Sequence, residues 1–121
     1  MSQTGAVIYV LWGILHLYAA FQVYKLGLTQ KSGMAQGRIY QNAWNLASIA
    51  VSVIVIAVVF NWNNSLFGYW LNLLITSITD IGFIFFILVP GYLPLRPGIL
   101  GPALWILAII FSTLGMRFIG S

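Results

Sequence analysis

The sequence has no cysteine, and this absence excludes several kinds of chemistry within the chain. Disulfide bonds, thiolate nucleophiles and iron–sulfur clusters all need cysteine sulfur. Acidic residues and histidine are almost as scarce. Asp80 is the one carboxylate side chain, and His16 is the one histidine. Zinc sites in proteins use three or four protein ligands, so these two residues do not complete one. We therefore expect no metal and no cofactor, although His16 alone leaves a single-histidine ligand to haem or a chlorin open.

Charged residues are also scarce. Charged residues make up 5% of the 121 residues and hydrophobic residues 61%, whereas a typical soluble domain is about 25% charged. Such a chain cannot cover a water-facing surface, so we predict an integral membrane protein with membrane lipids as its surroundings. It has neither a glycine-rich phosphate loop nor a run of Lys and Arg. These absences argue against ATP hydrolysis and against a nucleic-acid partner.

Four apolar runs divide the chain, and each is long enough for a membrane-spanning helix. The runs cover about residues 6–24, 41–60, 66–89 and 99–118. The second run ends in β-branched residues, but a lone strand cannot satisfy its backbone in lipid, so a helix is predicted there too. Short connections favour antiparallel neighbours. The expected fold is all-α, with residues 1–121 forming one transmembrane domain, an antiparallel four-helix bundle that runs up-down-up-down.

The basic residues predict an orientation for this bundle. Three of the five lie in segment 25–40, and Arg96 lies in segment 90–98. Arg117 alone lies on the other side of the predicted bundle. Because basic loops stay in the cytoplasm, loops 25–40 and 90–98 are expected there, with both termini outside.

Polar residues at helical spacing interrupt the apolar runs. Asp80 stands inside the third run, where a carboxylate is costly unless it faces protein, a partner or water. His16 lies near the middle of the first run, so the polar faces of neighbouring helices are expected to converge on both groups. The expected interior site comprises the titratable residues Asp80 and His16, the polar residues Asn45, Ser48, Asn72 and Thr76, and the aromatic residues Tyr9, Trp12 and Trp105.

Three interpretations of this site remain open. Asp80 and His16 would form a catalytic acid–base pair that moves a proton to or from a small apolar or lipid-like molecule, as in an isomerase or cyclase. Asn45 and Asn72 would then orient an oxygen of that molecule. Alternatively, the pair would handle protons or ions in a homo-oligomeric transporter or channel. In the third interpretation Asp80 only fixes helix packing. The chain as a whole would also suit an accessory subunit of a larger membrane complex.

Overall fold

A computed structural model describes residues 2–120, with side chains described for residues 2–116. The described chain is helical and contains no strand. The side chain of Arg117, the one basic group expected on the far side of the membrane, lies outside this described part. The helices are α1 (Ser2–Leu28), α2 (Met34–Ile56, continued by a π-helical turn over Ala57–Asn61), α3 (Leu66–Phe83, continued by a π-helical turn over Ile84–Leu88), α4 (Leu95–Gly98) and α5 (Leu100–Gly120).

Three of these helical segments are long and apolar enough to cross a membrane, namely Ser2–Leu28, Met34–Asn61 and Leu66–Leu88. This confirms the helical class and supports membrane association. The apolar part of α5 among the described residues, Leu100–Met116, is shorter. At a rise of about 1.5 Å per residue it covers roughly 26 Å, slightly less than the roughly 30 Å hydrocarbon layer.

The connection between α1 and α2 is much shorter than predicted. The three glycines of segment 25–40 predict a loop, but α1 continues to Leu28 and α2 begins at Met34. Gly27 stays helical and packs against α2, where an added Cβ would lie 2.9 Å from Cδ1 of Tyr40. Gly33, with a φ of +154°, stands immediately before the first residue of α2. Glycine in this segment therefore serves close helix packing as well as chain reversal.

Helix α1 packs most extensively against α2 and α5. Gly13 lies against Ala50 and Ile54 of α2, and Gly5 lies against Ser112 of α5. A Cβ at Gly13 would come within 3.0 Å of the Ala50 carbonyl oxygen. Small residues thus allow the helix backbones to approach closely. Apolar helices in lipid associate through such packing, because the hydrophobic effect does not favour contact between them.

The chain exposes large apolar side chains and buries several polar ones. Asn72, Thr76 and Asp80 are fully buried, whereas Trp44 and Phe86 are 73% and 75% exposed. Large exposed apolar side chains together with several buried polar ones suit a chain surrounded by acyl chains, because lipid rewards exposed hydrocarbon and penalises exposed polar groups.

Candidate functional site

Helix α3 carries three fully buried polar side chains at four-residue steps: Asn72, Thr76 and Asp80. Four residues make just over one helical turn, so the three side chains line one face, and that face is turned into the protein. The sequence predicts this face, and the structure places all three residues in the interior. Asp80 contacts α1 through two side chains, Trp12 and His16. We call these three residues the Trp12–His16–Asp80 cluster.

Trp12 holds one oxygen of the Asp80 carboxyl group. Its indole Nε1 donates a hydrogen bond of 2.9 Å to Asp80 Oδ2, and both residues are 0% exposed. Tryptophan can donate here but cannot accept. This bond therefore satisfies Oδ2 and leaves Oδ1 as the oxygen that faces the rest of the cluster.

His16 lies beside the other carboxyl oxygen. Its Nε2 is 3.4 Å from Asp80 Oδ1, and Oδ1 has no hydrogen bond in the structure. The opposite ring nitrogen, Nδ1, lies 2.8 Å from the backbone oxygen of Trp12. The imidazole also stacks on the Trp12 indole, with ring centroids 3.7 Å apart and planes inclined by 21°. Residues of α1 thus fix the imidazole plane, and with it the direction of Nε2.

This geometry determines how many protons the cluster needs. A carbonyl oxygen only accepts, so Nδ1 of His16 must carry the proton of its 2.8 Å bond to Trp12. A neutral imidazole then has a bare lone pair at Nε2, and an ionised Asp80 would place a second lone pair opposite it at 3.4 Å. One additional proton, on either Nε2 or Oδ1, converts this contact between two acceptors into a donor–acceptor contact.

A second polar network lies further along α3. Asn72 Nδ2 donates to Asn61 Oδ1 at 2.8 Å and to the backbone oxygen of Val53 at 3.2 Å. Thr76 Oγ1 donates to the Asn72 backbone oxygen at 2.6 Å. Asn61, which is 4% exposed, is not among the predicted site residues because it lies just after the second apolar run, 41–60. Its four-residue spacing from the buried residues Val53 and Ala57 is the signal that identifies it.

Six of the nine predicted site residues lie outside the cluster, and three of these six, Asn45, Ser48 and Trp105, are not buried either. Asn45 and Ser48 are exposed, because α2 turns its small residues Ala43 and Ala50 inward instead. Trp105 is partly buried and donates from Nε1 to Ser77 Oγ at 2.9 Å. The polar stripe of the second run therefore does not converge on Asp80.

Tyr9 lies one helical turn before Trp12 and is 1% exposed. It packs in the apolar core with Ala6, Val53 and Ala108. The structure thus keeps Tyr9 in the interior as predicted, within the core that supports Trp12.

Trp12 and Asp80 are fully buried, at 0% exposure. A cavity of about 250 Å³ lies elsewhere, on the outer side of α1 and the end of α2, with an entirely apolar lining. Its lining residues are Ala6, Val7, Val10, Leu11, Val58 and Trp62. The polar pocket expected between Asp80 and His16 is instead a direct contact of 3.4 Å.

Among the described residues, no group of three or more His, Cys, Asp or Glu side chains is placed to hold a metal ion. The chemistry available at the cluster is therefore that of a carboxyl group, an imidazole and an indole N–H. Comparison of the chain with protein-family models, with curated proteins and with solved structures found no match.

Proposed function

We propose that this chain is a membrane protein in which the Trp12–His16–Asp80 cluster exchanges a proton with a small apolar or lipid-like molecule. In this proposal α1, α2, α3 and α5 cross the membrane up-down-up-down, with the α1–α2 and α3–α5 connections in the cytoplasm. The molecule approaches from the surrounding bilayer at His16, the one member of the cluster that keeps any exposure, 8%. The catalytic residues are Asp80 and His16.

The observation that carries the proposal is the position of the unsatisfied Asp80 Oδ1 opposite His16 Nε2, at 3.4 Å. Both atoms belong to groups that gain and lose protons, and the contact is favourable only with one proton between them. Burying a lone charge costs far more than burying a hydrogen-bonded neutral pair. Such a pair stores a proton in the apolar interior and is able to pass it to a bound molecule.

The proton balance suits an isomerisation. The pair gives its shared proton to one carbon of an unsaturated substrate, so an N–H or O–H bond breaks and a C–H bond forms. A neighbouring carbon then loses its proton to the pair, and the electrons of that C–H bond form the new double bond. The pair begins and ends with one proton, and no oxidant, reductant or second substrate is needed.

Trp12 acts in this proposal as a positioning residue. Its bond to Oδ2 fixes the carboxyl plane, and its backbone oxygen fixes the imidazole tautomer. One residue thus orients both members of the pair, as the partners around catalytic groups commonly do.

A purely packing role for Asp80 is the main competing interpretation, since a buried hydrogen bond between helices also sets their register. A role in ion transport or as an accessory subunit would use the same residues without chemistry on a bound molecule. These interpretations share one consequence: no substrate carbon exchanges its hydrogen at the cluster.

Deuterium incorporation distinguishes these interpretations even while the substrate is unidentified. Purified protein in nanodiscs is incubated in D₂O with a total extract of neutral membrane lipids, and the lipids are analysed by mass spectrometry. We expect deuterium in a specific apolar lipid with the native chain and none with Asp80→Asn or His16→Gln. Asn45→Ala is the matched control, because Asn45 is exposed and away from the cluster.

Two results would reject the proposal. One is the absence of any deuterated lipid with the native protein. The other is equal incorporation by native protein and Asp80→Asn, provided that both are folded by circular dichroism and elute as single species.

A further inference from the structure

Helix α2 carries polar side chains on its outer side. Asn45, Ser48 and Ser52 follow one another at steps of three and four residues, so they share one side of the helix. All three are exposed, whereas Ala50 and Val53 occupy the side that is turned into the protein. We call Asn45, Ser48 and Ser52 the outer polar face of α2.

This outer polar face lies at the depth of the hydrocarbon layer when α2 crosses a membrane. Ser48 is at the middle of the segment Met34–Asn61, which is long and apolar enough to span a bilayer. Asn45 and Ser52 lie about one helical turn to either side, within roughly 6 Å of Ser48 along the helix axis. Acyl chains offer no hydrogen-bond partner at that depth.

The polar groups of this face are only partly satisfied within one chain. Ser52 Oγ donates a hydrogen bond of 2.8 Å to the backbone oxygen of Ser48 in the same helix. The Asn45 amide has two N–H donors and an acceptor oxygen, and the described residues provide its side chain with no hydrogen bond. By contrast, the exposed side chains in the middle of α3, Leu74 and Ile78, need no such partner.

The outer polar face is also suited to close contact with another helix. Ser48 and Ser52 are small residues four positions apart, a pattern that lets two helix backbones approach closely in a membrane. A helix packed against these serines would also cover Asn45. The same side of α2 thus combines an unpaired amide with room for a neighbouring helix.

A second copy of the chain matches this face in chemistry and in depth. Asparagine and serine side chains both donate and accept hydrogen bonds, so the face is complementary to itself. Two copies inserted with the same orientation are related by a two-fold axis along the membrane normal. Their α2 helices are then parallel, and each residue of the face meets its counterpart at the same depth. The face carries no charge and therefore gives no ion pair to a charged partner.

We propose that the outer polar face of α2 is a dimerisation surface, on which a second copy of this chain packs its own α2 in parallel. The amides of the two Asn45 residues exchange hydrogen bonds, while Ser48 and Ser52 allow the close approach. This inference uses the membrane-crossing arrangement of the proposed function but not its chemistry, because the Trp12–His16–Asp80 cluster lies within one chain.

Single introduced cysteines test the contact, since the native chain has none. A disulfide forms only where two Cα atoms come within about 4.4–6.8 Å. We expect oxidation in liposomes, at a large excess of lipid over protein, to join Ser48→Cys chains into covalent dimers. Leu74→Cys is the matched control, because Leu74 is 54% exposed near the middle of α3. No dimer from Ser48→Cys, or an equal yield from Leu74→Cys, would overturn the proposal.

The Asn45 amide has its own test. Energy transfer between copies labelled at the N-terminus with donor and acceptor dyes measures association in liposomes. We expect Asn45→Val to weaken association about tenfold, equivalent to about 1.4 kcal/mol, because the hydrogen bonds between the two amides are lost. Ile78→Val, at an exposed position of α3, should associate as the native chain does. Unchanged association of Asn45→Val would reject the amide contact on which the dimer is built.

Folding and chemistry are checked separately from association. In a large molar excess of detergent the copies separate by mass action, so unfolding there reports the single chain, and Asn45→Val should be as stable as the native protein. The deuterium experiment described above is independent of the dimer. Deuterium incorporation without cross-linking would reject only the dimer, whereas cross-linking without incorporation would reject only the proposed function.

Discussion

Trp12 Nε1 donates a 2.9 Å hydrogen bond to Asp80 Oδ2, across 68 residues of sequence. The bond joins α1 to α3 in a fully buried setting. Hydrogen bonds to charged groups contribute about 1.5–3 kcal/mol, against about 1 kcal/mol for neutral pairs. The strength of this bond therefore depends on the charge of the Asp80 carboxyl group, and in the proposed function the same bond links helix packing to proton transfer.

Replacing Trp12 tests this link. Trp12→Phe keeps an aromatic ring but removes the donor, so Oδ2 becomes a buried acceptor without a partner. We expect a loss of about 1–3 kcal/mol in the free energy of unfolding, measured by denaturation in detergent micelles. We also expect the vibrational frequency of the Asp80 carboxyl group to shift, because the group loses this hydrogen bond. Infrared spectroscopy measures this directly, as Asp80 is the one carboxylate side chain in the sequence.

Trp44→Phe provides the control for this change. Trp44 is 73% exposed, and surface substitutions usually alter stability by less than about 0.5 kcal/mol. Equal stability losses in the two variants would show that the Trp12 indole N–H does not hold Asp80.

The protonation of His16 is a second prediction. Nuclear magnetic resonance of ¹⁵N-labelled histidine should show a protonated Nδ1, since that atom lies 2.8 Å from the Trp12 carbonyl oxygen. In the proposed function a proton is shared with Asp80, and the Nε2 signal should then fall between the positions of a bare and a protonated nitrogen. In Asp80→Asn the side chain can no longer exchange that proton with Nε2, and Nε2 should move to the value of a neutral ring. An Nε2 signal identical in the two proteins would contradict the shared proton.

The network around Asn72 supports a third prediction. Asn72→Val removes the donor to Asn61 Oδ1 and to the Val53 carbonyl oxygen. Leaving Asn61 buried without its partner should cost about 1–3 kcal/mol of stability. The double variant Asn72→Val/Asn61→Leu should lose less than the sum of the two single changes, because removing both partners leaves no buried amide unsatisfied. Asn45→Val is the exposed control, and strict additivity of the two buried changes would exclude the network.

Much of the interior face of α3 was predictable from the sequence. The four-residue spacing of its polar residues and the free-energy cost of a charge in lipid are both properties of α3 alone, and neither depends on how other helices pack. Asn72, Thr76 and Asp80 follow from these two rules alone. Tyr9, Trp12 and His16 were also assigned to the interior, although the sequence does not show which indole or ring nitrogen meets which oxygen. Those details depend on the rotation and depth of α1 against α3.

The same rules failed for α2. Its stripe of polar residues, which includes Asn45 and Ser48, is exposed, whereas Ala43, Ala50 and Val53 are buried. Close packing against the glycines of α1 requires small residues, and this requirement outweighed the modest gain from hydrogen bonds between helices, which average about 0.6 kcal/mol. Polarity alone therefore did not identify the interior face of a helix whose partner presents glycine.

The contact between α1 and α2 provides the last prediction. A side chain at Gly13 would collide with Ile54 and lie about 3.0 Å from the Ala50 carbonyl oxygen. Since a backbone atom cannot yield as a flexible side chain does, Gly13→Val should separate the two helices and cost about 1–3 kcal/mol of stability. Gly82→Val, at a position with nothing within 4 Å of an added Cβ, should change stability far less.

Displacement of α1 would also turn Trp12 and His16 away from Asp80. The infrared band of the Asp80 carboxyl group should therefore shift in Gly13→Val and stay unchanged in Gly82→Val. A large stability loss without that shift would mean that the packing of α1 on α2 does not position the cluster.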